Sequence, residues 1–381
     1  TLDYGIAADL IDWFQGQGGV WVVLWQDQVV DPAGYLTTIL DKVGEEQPID
    51  RTFSQVRLRH YRLPPDARFA AEPIIAHPAD FNFGNRLQLL GYTQTGDRKV
   101  MLFWEALEAL DEDYRVSLTL RDTVGQSWGQ WDGRPTAYLF PTDRWRVGQI
   151  VPGSHDLTPI TGAPPGDYGL EVGVYTEDDP SGLDLLDAAG APQGKRVMLG
   201  AVALSVPAVT ADQVEAPNRI DADMGGGLKL LGWDVEPREA QPGDSLLLTL
   251  VWSVVSRPDG DYGLRILTAD ATGQTWDAGA FPPTNAWHPT SIWLPGQAWR
   301  GQMTFRLPIQ AQPGEAHLAV QLLDASGAEL GPAVELTALH VLPTDRIFEP
   351  PQPQAPRQAN FGDRIMLSGA DLAPDPVAPG E

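Results

Sequence analysis

The sequence predicts a mainly β protein: two tandem immunoglobulin-like antiparallel β-sandwiches preceded by a small α/β segment. Two observations predict it. The first is that the chain contains itself twice. Trp104, Asp113-Tyr114, Gly125-Gln126-Ser127-Trp128, Pro141-Thr142, Trp145, Gly148-Gln149 and Pro165-Gly166 recur as Trp252, Asp261-Tyr262, Gly273-Gln274-Thr275-Trp276, Pro289-Thr290, Trp293, Gly296-Gln297 and Pro313-Gly314. The spacing is 148 residues at both ends, from Trp104 to Trp252 and from Pro165 to Pro313. An ungapped offset of this kind means two copies of one folding unit. The second is texture: from about residue 80 the chain alternates apolar and polar residues in short stretches parted by Pro, Gly and Asp, as antiparallel sandwiches do.

Composition narrows the function classes. The chain has 381 residues, room for two to three domains of about 150 residues each. Its formal net charge of −25 repels phosphate backbones and anionic headgroups, so nucleic acid is not an expected partner. There is no cysteine, which excludes disulfides, a thiol nucleophile and cysteinyl metal sites. The longest apolar stretches, Val20 to Trp25 and Val197 to Val209, fall short of the ~20 residues that span a bilayer. The opening Thr1-Leu2-Asp3-Tyr4 has neither an initiator methionine nor a leader pattern and reads as the start of an excised fragment.

Residues 1–75 are expected to be an α/β segment, the remnant of a larger subdomain. Ala7 to Phe14 reads as a helix stopped by the glycine run that begins at Gly16. Val20 to Trp25 is a continuous apolar run, as in a strand buried on both faces. Asp31 is placed to cap a helix with Pro32 in its first turn and Leu36, Ile39, Leu40 and Val43 on one face. Phe53 to Tyr61 sets Phe53, Val56 and Leu58 against Gln55, Arg57 and Arg59, a half-buried strand.

Residues 80–207 and 208–343 are the two sandwich repeats. Expected strands in the first are 86–92, 99–105, 114–121, 127–131, 149–157, 168–175 and 197–206. Those in the second are 228–233, 246–252, 262–267, 275–279, 302–307, 316–323 and 334–341. An insertion at Arg238 to Gly243 shortens the offset before it. The opening strand occurs a third time at Phe361-Gly362-Asp363-Arg364-Ile365-Met366-Leu367-Ser368-Gly369, within a Pro-rich tail of residues 344–381 that stops at Pro379-Gly380-Glu381. A lone opening strand has no sheet to join, so this tail is expected to be disordered or lent to a neighbouring sheet.

The run Val22-Val23-Leu24-Trp25-Gln26-Asp27-Gln28-Val29-Val30-Asp31-Pro32, the Phe-Gly-x-x-Leu-x-Leu-x-Gly openings and the Pro-Thr-x-x-Trp-x-x-Gly-Gln element together carry a resemblance. The chain resembles, over nearly its whole length, the extracytoplasmic C-terminal region of bacterial family 39 membrane glycosyltransferases. These are related to protein O-mannosyltransferases and lipid A aminoarabinose transferases. The resemblance implies a membrane-embedded catalytic half of the same polypeptide, with acidic residues in its first outer loop and a polyprenyl-phosphate sugar as donor. None of that half matches this chain, so no catalytic residue is carried over.

Candidate sites come from the residues themselves. Gly125-Gln126-Ser127-Trp128-Gly129 spells a nucleophile elbow, but a β-alternating run follows where a helix is needed, and the second copy has Thr275 and Asp277 there; a hairpin turn is expected. The six histidines show no zinc spacing, and Glu177-Asp178-Asp179 with Asp184 and Asp187 lacks the EF-hand spacing, so neither a metal nor a cofactor is expected. Gly225-Gly226-Gly227 leads into a strand and is no phosphate cradle. Trp104 and Trp252 are expected in the core. Trp128, Trp131, Trp145, Trp276, Trp287, Trp293 and Trp299 lie in or near turns and are the candidates for stacking on sugar rings. The expected function is a noncatalytic accessory or spacer region of a membrane glycosyltransferase, outside the cytoplasm, in contact with glycan or glycolipid. The alternative is a self-standing carbohydrate-binding or adhesion protein.

Overall fold

The computed structural model describes residues 2–49, 53–54, 56–344, 352–362 and 364–371. In the α/β segment, helices α1 (Ile6–Phe14), α2 (Asp27–Val30) and α3 (Tyr35–Val43) accompany strands β1 (Gly19–Leu24), β2 (Glu45–Gln47) and β3 (Arg57–Arg62). The three strands form one sheet in the order β1-β3-β2. Leu10, Val20, Val22, Leu24, Ile39 and Leu40 share its core. Burial of β1 is strictly alternate, so the expectation of a strand covered on both faces is corrected: helices cover one face, and Trp21 and Val23 stand exposed on the other. The phase of β3 is corrected as well. Leu58 lies opposite exposed Val23, while Tyr61, opposite Val20, is buried; Gln55 lies outside the described residues. The Asp31 carboxylate does accept the Tyr35 and Leu36 amides at 2.8 and 2.9 Å, but Pro32 sits in the turn before α3 and not in its first turn.

The first sandwich contains β4 (His77–Phe83), β5 (Leu87–Gly96), β6 (Lys99–Ala106), β7 (Arg115–Arg121), β8 (Ser127–Gly133), β9 (Ile150–Asp156), β10 (Gly166–Tyr175), β11 (Leu185–Leu186), β12 (Pro192–Gly194) and β13 (Arg196–Leu204). The second contains β14 (Asn218–Gly225), β15 (Leu228–Glu236), β16 (Glu239–Ala240), β17 (Ser245–Val254), β18 (Gly263–Ala269), β19 (Thr275–Phe281), β20 (Ala298–Arg306), β21 (Gly314–Leu323) and β22 (Val334–Val341). The sheet run β4-β5-β6-β9 of the first has its counterpart in β14-β15-β17-β20, and β13-β10-β7-β8 in β22-β21-β18-β19. Each pair of sheets encloses one core, with Trp104 and Trp252 fully buried at equivalent places. Strands β4 and β14, which open the two sheets, are absent from the sequence reading. Their alternation is weak because the inward rows, Ala79-Phe81-Phe83 and Ile220-Ala222-Met224, are short and include an alanine each.

The shared motif residues hold the chain to itself. Thr142 Oγ1 accepts the Tyr114 amide (2.7 Å) and donates to the Glu112 carbonyl (2.7 Å); Thr290 does the same with Tyr262 (2.8 Å) and Gly260 (2.9 Å). Indole N–H groups of Trp145 and Trp293 donate to the carbonyls of Phe140 and His288. The side-chain carbonyls of Gln149 and Gln297 accept the amides of Arg146 and Leu294. Asp122 and Asp270 each accept two amides of the hairpin turn that follows. The repeat was legible because these are one loop-to-strand clamp made twice, each bond contributing about 1 kcal/mol net.

The two sandwiches meet in a bonded joint. Arg300 donates its amide to Gly162 (2.7 Å) and its guanidinium to the carbonyls of Thr161 and Glu215 (3.1 and 2.7 Å). Val214, Val251 and Ala298 form a small core beside it. The third opening strand is not left alone: among the described residues β24 (Ile365–Ala370) pairs with β23 (Ala355–Phe361) as a hairpin. This corrects the expectation for the tail. Phe361, Ile365 and Leu367 are exposed, whereas Phe83, Leu87 and Leu89 at the matching places in the first sandwich are fully buried. The expected end of the third repeat at Pro379-Gly380-Glu381 lies outside the described residues.

Candidate functional site

Four of the seven candidate stacking tryptophans are core residues: Trp128, Trp145, Trp293 and Trp299 are at most 5% exposed and offer no indole face to a ligand. Turn-proximal position misled the reading, because the long connections fold back and bury the rings under themselves. Trp128 donates to Asp122 (2.9 Å), and Trp299 packs edge-on against His288. Trp287 belongs to the joint, donating to the Pro165 carbonyl (3.1 Å) with its ring edge-on to Tyr168. Trp131 is half-buried against His155. Trp276 keeps part of its surface beside a shallow depression of about 500 Å³ between β19 and β20. The tryptophans that stand open to solvent are Trp13, Trp21 and Trp25, all in the α/β segment.

The other motifs settle into local structure. Gly125 to Gly129 spans the β7–β8 hairpin turn, with Ser127 exposed at the start of β8. Gly226, at φ +58°, presses its backbone on Tyr262, whose ring a Cβ there would meet at 2.5 Å. In the acidic loop Asp179 accepts from Ser181, Asp187 from the Ala189 and Ala191 amides, Asp184 pairs with Lys195 at 3.2 Å, and Glu177 bonds Arg115. Among the described residues no three His, Asp or Glu side chains converge as metal ligands would.

A sizeable concavity lies where the α/β segment meets the first sandwich. It is a cleft of about 800 Å³ walled by the end of β1, the α2–α3 turn, β3, the sandwich loop at Thr136-Ala137, and Pro152 and Ser154 of β9. A second hollow of about 630 Å³ shares the wall at Gly34, Thr37, Glu46, Arg59 and Ser154. The two units are locked here by Tyr35, which is fully buried, donates to the Ile150 carbonyl (2.8 Å) and accepts from the Gln149 amide (3.1 Å). Volumes of this size are those of small-ligand sites.

Charges in the cleft are matched to each other. The Arg59 guanidinium grips both Glu46 oxygens (2.9 and 2.6 Å) and reaches Asp41 (2.7 Å), which also accepts from Tyr61 (2.6 Å). That grip holds the Glu46 carboxyl below the usual carboxylate range. Arg57 pairs with Asp27. Burial raises the Asp31 carboxyl, the α3 amides acting against it, and both its oxygens are already engaged. A general acid–base pair needs two carboxyls free to reach a substrate; each carboxyl of this cleft is tied to a cation or to helix amides. What faces the space is polar, with hydroxyls of Thr37 and Thr136 that donate to the Gly34 and Pro152 carbonyls, that of Ser154, and an apolar wall at Leu24, Val56 and the half-exposed ring of Phe53. Asp31 bonds the first α3 amides as its position predicts, whereas the cleft has no local signal in the sequence, because its walls come from residues 24–59 and 136–154, which only the fold brings together.

Behind the sandwich wall of the cleft, His155 is buried, and burial pushes its pKa down to about 4; the nearby Pro135 carbonyl opposes the shift without forming a hydrogen bond. The neutral ring is therefore the folded form. Below the unfolded-state value of about 6.5 the unfolded chain takes up a proton that the folded one refuses, so stability falls from pH 6.5 to 4 and is retained above it. The loss from this residue approaches about 3 kcal/mol. The second sandwich carries buried Met303 at the equivalent place. Urea unfolding at pH 7 and pH 4.5 should show a smaller acid loss in His155→Met than in the parent; equal losses would show that His155 is not buried neutral.

Compared with known proteins, the chain matches no family model and no curated protein.

Proposed function

We infer that this chain is a noncatalytic accessory region that contacts neutral glycan through the cleft between its α/β segment and first sandwich. The observation that carries the reading is that every charged side chain of the cleft is engaged within the protein, by a partner charge or by helix amides, beside hydroxyls and an apolar wall. Such a site suits an uncharged polyhydroxylated ligand, whose ring face meets Phe53 and whose hydroxyls meet the carboxylate and guanidinium edges. An anionic ligand would meet a chain of net charge −25.

The resemblance to family 39 glycosyltransferases supplies the setting. In this reading the two sandwiches are immunoglobulin-like modules outside the cytoplasm, tethered through the membrane-embedded half, and the cleft positions glycan or glycolipid for it. A second reading is a self-standing carbohydrate-binding or adhesion protein. Ten or more apolar helices encoded upstream would support the first; a signal peptide directly before Thr1 would support the second.

Calorimetric titration with a panel of neutral oligosaccharides tests the site. Phe53→Ala should weaken binding about tenfold, the loss of one aromatic contact of about 1.4 kcal/mol, with the melting temperature unchanged. Affinity that survives Phe53→Ala but is lost in Trp276→Ala would move the site to the second sandwich.

A further inference from the structure

Among the described residues strand β1 is an edge strand, hydrogen-bonded to β3 on one side only, and runs Gly19-Val20-Trp21-Val22-Val23-Leu24 without a charge, proline or register break. Such an edge presents unpaired amides and carbonyls in a regular row, a template for another strand. Proteins ordinarily blunt these edges. The other edge of this same sheet is blunted: β2 is three residues long and carries Glu45 and Glu46. Edges of the sandwiches are blunted too. Strand β9 has Pro152, β14 has Arg219, Asp221 and Asp223, and β19 has Asp277. The apolar edge of β13 is clasped by Gln94, whose side chain donates to the Ala203 carbonyl (2.6 Å) and accepts the Ala203 amide (3.1 Å).

The uncovered face repeats the message. Val23 is 65% exposed and Trp21 58%, with the Trp21 ring stacked on His60 at 4.1 Å. Trp25, just past the strand, and Val29 are exposed as well.

We propose that β1 is a self-association strand, pairing antiparallel with β1 of a second copy across a two-fold axis. Antiparallel pairing of a strand with itself is symmetric, so one surface serves both partners, as a two-fold interface requires. The product is a six-stranded sheet in the order β2-β3-β1-β1-β3-β2, with the helices of both copies on one face and two Trp21–Val23 rows side by side on the other. The charge distribution favours this locus: two chains of −25 repel each other broadly, and an uncharged strand is where they approach at least cost. Strand β24 is also uncharged, but its counterparts β5 and β15 pair with β6 and β17, so it calls for a different strand and not for itself.

Light scattering on the eluting protein reads the outcome. The chain should be dimeric at about 50 µM, more so at high salt, where net repulsion is screened. Val23→Lys, a change on the exposed face, should raise the dimer dissociation constant at least about tenfold at an unchanged melting temperature. Val124→Lys, in the exposed β7–β8 turn, should leave it unchanged. A monomer at every concentration and salt overturns the proposal. So does a dimer that survives Val23→Lys, including one that Met366→Lys abolishes, which would place the contact on the third hairpin.

Discussion

Trp293→Ala is expected to cost the second sandwich about 3–5 kcal/mol, the range for deleting a large aromatic from a packed core. Its indole is fully buried, and its N–H donates to the His288 carbonyl at 3.2 Å, so truncation leaves a cavity and removes one of the two hydrogen bonds to that carbonyl, the other coming from the Thr284 hydroxyl. Trp145→Ala should do the same to the first sandwich, through the lost bond to Phe140. Urea unfolding followed separately by probes in each sandwich would check both. A sugar-stacking residue behaves in the opposite way, tolerating truncation while binding is lost; a cost below about 1 kcal/mol would return these residues to the surface.

The second large effect comes from a missing side chain. A Cβ at Gly153 would lie 1.7 Å from the Pro135 carbonyl oxygen, and one at Gly301 would lie 1.9 Å from that of Pro283. Both obstacles are backbone, and the glycines lie on the equivalent strands β9 and β20, so the loops after β8 and β19 are laid directly on the sheet. Gly153→Ala and Gly301→Ala should each destabilise their own sandwich by more than about 3 kcal/mol, since the loop must lift off and uncover core beneath it. Soluble expression and melting of the two variants provide the check. If one is tolerated and its twin is not, the two loops do not follow the same course.

The sandwiches were legible because their information is local and doubled. Alternation marked fourteen strands, and the offset between Thr142 and Thr290 or Trp145 and Trp293 marked a clamp before its bonds were known. Strands β4 and β14 escaped because their inward rows are short and include a small residue, Ala79-Phe81-Phe83 in the one and Ile220-Ala222-Met224 in the other, which leaves the alternation weak. In the α/β segment the apolar run of β1 suggested two covered faces, and no local feature says that one lies bare. The cleft was out of reach for another reason. Arg59, Glu46, Thr136 and Ser154 become neighbours only when Tyr35 docks on Gln149 and Ile150, a tertiary event without a sequence period. Tryptophan chemistry pointed to sugars, but exposure decides which rings can meet one, and exposure is a property of the fold.

The central claim is that a neutral glycan enters the cleft while the twin sandwiches serve as its scaffold. Amide chemical-shift mapping of the protein during titration with neutral oligosaccharides tests it most directly. Shifts should gather at Thr37, Phe53, Thr136 and Ser154 and leave β14 to β22 unmoved. Shifts centred on the second sandwich, or a spectrum unchanged by every sugar in the panel, would contradict it.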